Sequence, residues 1–366
     1  MPTVFIVGAG FSHYAGLPLQ REFTKAILSA EAFKSSSASR HIVEYLKKFV
    51  NRTFGPRRSA TDPMWPELED IFTCVDLSAN SGHHLGQGYP PARLRTVRRA
   101  LIVRTIWMLR QEYEKAAKRS DSDWQTFSNF LERINPAENA FVSLNWDVAL
   151  EDRITEIRPK LGVSYGEGVT PADFPDTGDQ ICLTRVRVSP PLYVIKIHGS
   201  ANWLYCDNCR EVFWFPPEKS SKVASQLLRR DDRKRIQYST TVKQWRCHRC
   251  EKVSLGTRLA TFSYRKALDY PMFQTSWRSA ELLLRDAQRW VFVGYSLPPA
   301  DYEFKYLLKR VQLSRQSPPE LLLVAGGERT AAERTRQNYQ AFFGKTIKIF
   351  LDGLTPDVIE EVTSAV

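Results

Sequence analysis

The chain has 366 residues, of which 43% are hydrophobic and 12% aromatic, so it is long enough for one large or two moderate globular domains. Its formal net charge of +12 favours anionic partners, namely nucleotides, nucleic acid or an acidic protein surface. No apolar run approaches the ~18 residues of a membrane span, and the apolar N-terminus lacks a basic leader and a cleavage site, so we expect a cytoplasmic protein with no membrane partner.

Six apolar runs predict strands. Several of them are rich in Val and Ile and are not interrupted by alternating polar residues, which is typical of strands that are covered on both faces, as in a parallel sheet. The runs are 4–7, 140–144, 192–197, 290–294, 320–325 and 346–351. Because helical segments separate them, we expect an α/β fold.

The first run leads directly into a glycine-rich turn, Gly8-Ala9-Gly10. Glycines let the backbone turn sharply and approach a pyrophosphate, and a helix opening at Ser12 would present free N–H groups to this anion. The third glycine, Gly16, lies six residues after Gly10, whereas the usual dinucleotide fingerprint has a spacing of three. The turn alone therefore suits either a dinucleotide site or a purely structural role.

A long segment between the first and second runs, 21–135, has helical periodicity and predicts a helical insertion. Its clearest helix extends from Pro91 to Leu109, with apolar residues at i, i+3 and i+4 spacing. Farther along, the polar segment 165–180 is rich in glycine and proline. It is interpreted as a lid or as a connecting loop.

Two C-x-x-C motifs separated by 37 residues predict a metal site. Four thiolates in this arrangement close a tetrahedral shell around Zn²⁺, which leaves no position for a substrate and makes the zinc structural. The alternative is a redox role, but a redox C-x-x-C pair has no reason to be duplicated. The predicted ligands are Cys206, Cys209, Cys247 and Cys250. The other two cysteines, Cys74 and Cys182, are expected to be buried thiols.

Polar residues follow three of the predicted strands at the points where these strands end. Asn145 and Asp147 are two residues apart, so an amide and a carboxylate share one side of the extended chain. His198 follows the third run, and Gly294 and Ser296 follow the fourth. Ligands of open α/β sheets bind outside the carboxyl ends of the strands, so these residues and the glycine turn are expected to converge on one crevice.

Together these motifs resemble the sirtuin (silent information regulator) superfamily over most of the chain. The matching segments are Gly8-Ala9-Gly10-Phe11-Ser12, Gly16-Leu17-Pro18 with Arg21, Asn145 with Asp147, His198-Gly199-Ser200 and Gly294-Tyr295-Ser296-Leu297. The resemblance implies a Rossmann-like parallel sheet of sirtuin type, with a helical insertion and a small four-cysteine zinc-ribbon module. We assign the sheet domain to 1–20, 136–203 and 256–366, the insertion to 21–135 and the zinc module to 204–255.

Departures from the deacylating sirtuins indicate a divergent branch. Residues 255–270 contain nothing similar to the Phe-Gly-Glu segment that helps deacylases hold an acylated lysine peptide. The segment 145–151 carries two residues before Leu150 where deacylases have one. Residues 294–301 resemble the bacterial sirtuin-like proteins of antiphage systems, which hydrolyse NAD. The resemblance therefore implies that NAD⁺ is a substrate to be cut.

The implied activity is that of an NAD⁺ glycohydrolase, which releases nicotinamide and ADP-ribose through an oxocarbenium-like state. In this interpretation Asn145 positions water or the ribose hydroxyls, Asp147 binds the leaving carboxamide, and His198 accepts a proton. The pyrophosphate contacts are assigned to Gly8, Ala9, Gly10 and Ser12, and further NAD contacts to Arg21, Gly294 and Ser296.

Two other functions stay open. One is an NAD-dependent protein deacylase, which the missing peptide segment disfavours. The other is a catalytically silent module that senses nucleotides or nucleic acid, motivated by the basic excess and by aromatic residues such as Trp214 and Trp245. Because unregulated loss of NAD is toxic, the resemblance also implies control by a homo-oligomer or by a partner such as an ATPase, an Argonaute-type protein or a nucleotide-processing enzyme, in antiviral defence by abortive infection.

Overall fold

The computed structural model describes residues 2–29, 37–55, 65–185, 191–238, 243–256 and 271–364. The strands are β1 (Thr3–Val7), β2 (Asn139–Ser143), β3 (Val163–Ser164), β4 (Thr170–Asp173), β5 (Cys182–Leu183), β6 (Leu192–Lys196), β7 (Trp203–Cys206), β8 (Val212–Trp214), β9 (Leu255–Gly256), β10 (Arg289–Val293), β11 (Glu320–Val324) and β12 (Lys348–Phe350). The helices are α1 (Ala9–His13), α2 (Phe23–Ile27), α3 (Ser37–Phe54), α4 (Leu68–Ser81), α5 (Pro91–Arg119), α6 (Ser122–Glu132), α7 (Ala149–Ile157), α8 (Ser220–Ser225), α9 (Arg230–Ile236), α10 (Pro271–Asp286), α11 (Tyr302–Ser314), α12 (Arg329–Phe343) and α13 (Pro356–Thr363).

A seven-stranded parallel sheet forms the centre of the molecule, in the order β12-β11-β10-β1-β2-β6-β3. All six predicted apolar runs lie in this sheet, and the predicted α/β fold with a parallel sheet is confirmed. The short edge strand β3 was not predicted, because two residues carry too little pattern to be recognised.

The central strand β1 explains why these runs are continuously apolar. Val4 and Ile6 pack into the core on one face of the sheet, whereas Phe5 and Val7 pack into the core on the other. Side chains alternate between the two faces of a strand, so a strand covered on both sides needs apolar residues at every position.

Helices α2 to α6 lie between β1 and β2, in the segment taken as the helical insertion. Its longest helix, α5, has 29 residues and packs against α2, α3, α4 and α8. It begins with Pro91 at its first position and ends at Arg119, and the next residue, Ser120, has a φ of 48°. The helix therefore extends ten residues beyond the predicted end at Leu109. Despite this length, no helix in the described ranges is long and apolar enough to cross a membrane.

A second sheet, in the order β5-β4-β8-β7-β9, contains the residues around the cysteine motifs. Strand β4 lies within 165–180, and Thr170 pairs with Phe213 of β8, so part of this segment is sheet and not loop. Cys182 is exposed, which makes its prediction as a buried thiol wrong. Its strand, β5, is a two-residue edge strand with both side chains exposed, whereas Cys74 is half-buried on α4.

The zinc module is tied to the helical insertion by one buried carboxylate. Asp232 of α9 accepts hydrogen bonds from Arg99 Nε at 2.7 Å and from Thr96 Oγ at 2.6 Å, both on α5. Burial acts to raise the pKa of Asp232, but these hydrogen bonds and the charge of Arg99 lower it below its ordinary value. The carboxylate therefore stays ionised and joins the two regions.

Candidate functional site

Four loops meet at one edge of the seven-stranded sheet. The neighbouring strands β10, β1, β2 and β6 are parallel, so their carboxyl ends lie on the same side. The loops that follow them carry Gly294, Gly8, Asn145 with Asp147, and His198, respectively. The predicted residues therefore lie in adjacent loops, at the edge where open α/β sheets bind ligands.

The glycine turn packs its backbone against the loop after β10. Gly10 N donates to Gly294 O at 2.9 Å, and Gly8 N donates to Val293 O at 3.2 Å. A Cβ on Gly8 would lie 2.8 Å from Gly294 O, and a Cβ on Gly294 would lie 2.1 Å from Phe11 N. Gly294 also has a φ of +61°, a region that side chains other than glycine disfavour. The contact between the two loops therefore requires glycine at both positions.

The helix after this turn differs from its prediction. It begins at Ala9, not at Ser12, and contains five residues. Phe11 N donates to Gly8 O at 2.9 Å, so this N–H group and those of Gly8 and Gly10 are bonded within the protein. The predicted helix start at Ser12 is therefore wrong, and these three N–H groups are not available to an anion. Contact of the turn with a pyrophosphate stays a prediction.

Ser12, Asn145 and Asp147 form one hydrogen-bonded cluster. Asn145 Nδ2 donates to Gly8 O and to Ser12 Oγ, both at 2.8 Å. Ser12 Oγ donates to Asp147 Oδ2 at 2.9 Å, and Asp147 Oδ1 accepts from Ala149 N at 3.1 Å. Since both N–H groups of the Asn145 amide are used, its oxygen is the atom with which it can bind water or a hydroxyl.

A buried ion pair lies next to this cluster. Lys196 Nζ is 3.1 Å from Glu151 Oε1, and the two side chains are 1% and 2% exposed. The ammonium also donates to the backbone carbonyl of Asp147. Burial raises the pKa of Glu151, and the charge of Lys196 opposes this rise. Because desolvation offsets the attraction within a buried pair, we expect its main effect to be the position of the Asp147 loop.

Buried polar contacts continue from this pair into the second sheet. Asn202 Nδ2 donates to Tyr165 OH at 3.0 Å and to Phe215 O at 2.6 Å. Burial and the nearby charge of Glu151 raise the pKa of Tyr165. Ser200 is fully buried, and its hydroxyl has no hydrogen-bond partner among the described residues. The loop after β6 is therefore held between the two sheets.

His198 is buried and its orientation is fixed. Its Nδ1 lies 3.1 Å from the carbonyl oxygen of Leu144, the residue before Asn145. A carbonyl only accepts hydrogen bonds, so Nδ1 carries the proton. In the neutral ring Nε2 is then the nitrogen that can accept a proton, which suits the role of a general base.

Arg21 and Ser296 contact residues outside the cluster of Ser12, Asn145 and Asp147. Arg21 is 62% exposed and forms an ion pair with Glu328 at 3.3 Å. Ser296 is exposed, and its backbone carbonyl accepts from Asn338 Nδ2 at 3.2 Å. In the described ranges no hydrogen bond joins either residue to Ser12, and their NAD contacts stay predictions.

A small cavity lies between Asp147 and the helical insertion. Its volume of about 10 Å³ is room for roughly one water molecule. Leu109 and Tyr113 of α5 line it together with Asp152, which forms an ion pair with Arg110. Burial raises the pKa of Asp152 to about 7, although the charge of Arg110 opposes this rise. The insertion therefore supplies one wall of the candidate site.

The four cysteines of the C-x-x-C motifs lie together, with their sulfur atoms within 4.8 Å of one another. The distance from Cys206 to Cys250 is 3.6 Å between sulfurs, and that from Cys209 to Cys247 is also 3.6 Å. Zinc–sulfur bonds of about 2.3 Å in a tetrahedron place the sulfurs about 3.8 Å apart. The cluster could therefore hold zinc, and a shell of four sulfurs would make that zinc structural.

Lys196 and Glu151 were not among the predicted site residues. A signal was present, because Lys196 is the single charged residue of a buried strand, Leu-Tyr-Val-Ile-Lys. A lysine in such a place needs a partner of opposite charge, and Glu151 lies four residues after Asp147. Pairing the two requires the sheet register, which brings β2 beside β6.

The sequence matches no family model and no curated protein. The structure is similar to solved Sir2 structures. One, from work on the mechanism and regulation of Sir2 enzymes, is 16% identical and covers 98% of this chain and 91% of its own, with a TM-score of 0.34. A Sir2 mutant with a peptide and NAD is 14% identical, covers 99% and 90%, and has a TM-score of 0.34. A Sir2 homologue mutant with ADP-ribose is 12% identical, covers 99% and 90%, and has a TM-score of 0.37. The sequence motifs resemble this same family, but likeness at this level carries no conclusion about activity.

Proposed function

We propose that the chain is an NAD⁺ glycohydrolase, which cuts the bond between nicotinamide and ribose. The observation that carries the proposal is the hydrogen-bonded cluster of Ser12, Asn145 and Asp147, next to the buried His198, whose Nε2 can accept a proton. An amide oxygen, a carboxylate and a base in adjacent loops match what hydrolysis of a glycosidic bond needs.

In the proposed reaction the carbon–nitrogen bond breaks and its electron pair leaves with the nicotinamide ring. Asp147 binds the carboxamide of nicotinamide, and Asn145 orients the ribose hydroxyls or the water. The water oxygen bonds to the ribose carbon, and its proton passes to His198 Nε2. The products are nicotinamide, ADP-ribose and one proton, so atoms and charge balance.

Water, and not an acyl-lysine oxygen, is the proposed acceptor. The support is the sequence 255–270, which has no counterpart of the peptide-holding segment of deacylases. Most of this stretch, 257–270, lies outside the described residues. The structural zinc has no step in the reaction and serves the module that carries it.

We also propose that the helical insertion restrains the activity. The cavity between Asp147 and α5 is about 10 Å³, whereas a nicotinamide ring with its carboxamide is many times larger than one water. Binding of nicotinamide against Asp147 then requires α5 to move, and a second copy or a regulatory partner that shifts α5 would act as the trigger. The proposed setting is antiphage defence through loss of NAD, which rests on the resemblance of 294–301.

The test measures the products of NAD⁺ by mass spectrometry with the purified, zinc-loaded chain. Asn145→Ala and His198→Ala should each lower nicotinamide release at least about 100-fold. His84→Ala, in an exposed loop, is the matched control and should keep the wild-type rate. Release that continues in both site variants contradicts the assignment, and release that depends strictly on an acylated peptide favours the deacylase.

The restraint by α5 has its own test. Leu109→Ala removes part of the cavity wall and should raise the basal rate of nicotinamide release, whereas Leu109→Met nearly conserves the volume and should not. If both variants release nicotinamide at the wild-type rate while remaining folded, the helix does not limit access to Asp147.

A further inference from the structure

A second cavity lies in the zinc module, next to the cysteine cluster. Its volume is about 300 Å³, which is within the range of small-molecule pockets. Its walls come from the start of α9, from the residues before the second C-x-x-C motif and from the residues after it. The lining side chains used below are Arg229, Arg230, Gln244, Trp245 and Val253. None of them belongs to the proposed NAD site.

Hydrogen bonds fix the walls of this zinc-module cavity. Gln226 is 4% exposed, and its side chain donates to Lys243 O at 3.2 Å and accepts from Trp245 N at 2.9 Å. On the other side, Asp207 N donates to Ser254 O at 3.0 Å, which joins the two cysteine motifs. The cavity is therefore a built feature of the module.

Trp245 offers a fixed aromatic surface. Its ring packs against Phe174 at 5.7 Å between centroids, and Lys222 Nζ lies 5.6 Å from its ring centre. The side chain is half-buried and lines the cavity, so its remaining accessible surface is available to a planar ligand.

Two guanidinium groups face the same cavity. Arg229 pairs with Asp207 at 3.3 Å, but both side chains are partly exposed, at 56% and 30%, so this pair is weak. Arg230 is exposed, and Asp231 is the acidic residue of the lining. Guanidinium groups bind phosphate through paired N–H groups, and aromatic faces stack on nucleobases.

We propose that this zinc-module cavity binds a nucleoside phosphate, with the phosphate at Arg229 and Arg230 and the base at Trp245. The volume suits one nucleotide unit, the charge selects an anion, and the aromatic and apolar side selects a planar ring. The proposal does not depend on the hydrolysis of NAD⁺, and it gives the module a binding role in addition to its structural zinc.

The test is calorimetric titration of the zinc-loaded full chain with AMP, with adenosine and inorganic phosphate as the two halves of the ligand. AMP should bind more tightly than either half. Arg230→Ala and Trp245→Leu should each weaken AMP binding about tenfold or more. Lys234→Ala removes the same charge from the same helix but does not line the cavity, so its affinity should equal that of the wild type.

Binding of AMP at the NAD site is separated by Ser12→Ala, which removes an assigned pyrophosphate contact and should leave the zinc-module event unchanged. The zinc content of each variant shows whether the module is folded. If Trp245→Leu loses zinc, the AMP affinity of Arg230→Ala, a change at an exposed position, tests the proposal instead. The proposal is overturned if Arg230→Ala titrates like the wild type, if phosphate alone binds as tightly as AMP, or if only single-stranded oligonucleotides bind, which would indicate a nucleic-acid surface.

Discussion

The two sheets of the molecule are held together in different ways. In the seven-stranded sheet β1, β2, β6, β10 and β11 each have five residues, and apolar cores cover both faces. Among the residues that the structure describes, no strand of the second sheet has more than four residues, and four cysteine sulfurs lie within 4.8 Å of one another. Packing on both faces therefore positions the candidate NAD site, whereas the second sheet packs on the core on one side and adds a cysteine cluster that could hold zinc.

The largest effect is expected where the glycine turn packs against the loop after β10, at the edge of the seven-stranded sheet. Gly294→Ala would place a Cβ 2.1 Å from Phe11 N, which the joined backbones cannot accommodate. We expect an insoluble protein or a loss of more than about 4 kcal/mol in the free energy of unfolding, measured by chemical denaturation. The matched control is Gly327→Ala, where φ is +88° and no atom lies within 4 Å, so that only about 1–2 kcal/mol is lost. Equal losses in the two variants would show that the loops can separate.

The second largest effect is expected in the second sheet, beside the four cysteines. Cys247→Ser should abolish stoichiometric zinc binding and expose the zinc module, 204–255, to proteolysis, while the seven-stranded sheet stays folded. Metal analysis and limited proteolysis measure the two outcomes. Cys182→Ser, at an exposed cysteine outside the cluster, should change neither. A Cys247→Ser chain that keeps one zinc, or that unfolds as a whole, would remove the contrast between the two sheets.

The smallest effect is expected at the buried Lys196–Glu151 pair beside the seven-stranded sheet. Lys196→Met leaves Glu151 buried without its partner and should cost about 3–5 kcal/mol in the free energy of unfolding. In the double variant Lys196→Met with Glu151→Leu, stability should recover because no charge is left, but Asp147 still lacks its backbone donor. Nicotinamide release should therefore stay low in the double variant. If both the stability and the rate of nicotinamide release recover, the Lys196–Glu151 pair has only a structural role.

The fold was predictable where the sequence carries a strong local pattern. Continuous apolar runs indicated the six main strands of the parallel sheet, because a strand covered on both faces has no polar positions. The short strands of the second sheet were not predictable, since two to four residues carry no period and their pairing is set by distant partners such as Thr170 and Phe213. The assigned domain boundaries stay a prediction.

The candidate site was predictable at the level of loops but not of contacts. The ends of β1, β2, β6 and β10 indicated which loops would lie side by side, because the strand order makes them neighbours. The use of the Gly8 and Gly10 N–H groups by the β10 loop could not be foreseen, because it depends on how closely two backbones approach. The Lys196–Glu151 pair likewise depends on the register of neighbouring strands.

Helix α5 connects the zinc module to the cavity beside Asp147. One part of it, at Thr96 and Arg99, is bonded to Asp232 of the zinc module, and another part, at Leu109 and Tyr113, walls the cavity beside Asp147. Ten to seventeen residues of helix separate these parts by about 15–25 Å. A helix is stiff over that length, so a tilt imposed at the Asp232 end is also a displacement of the wall at the other end. A single helix thus links the zinc module to the wall of the candidate NAD site, and it packs against α2, α3, α4 and α8.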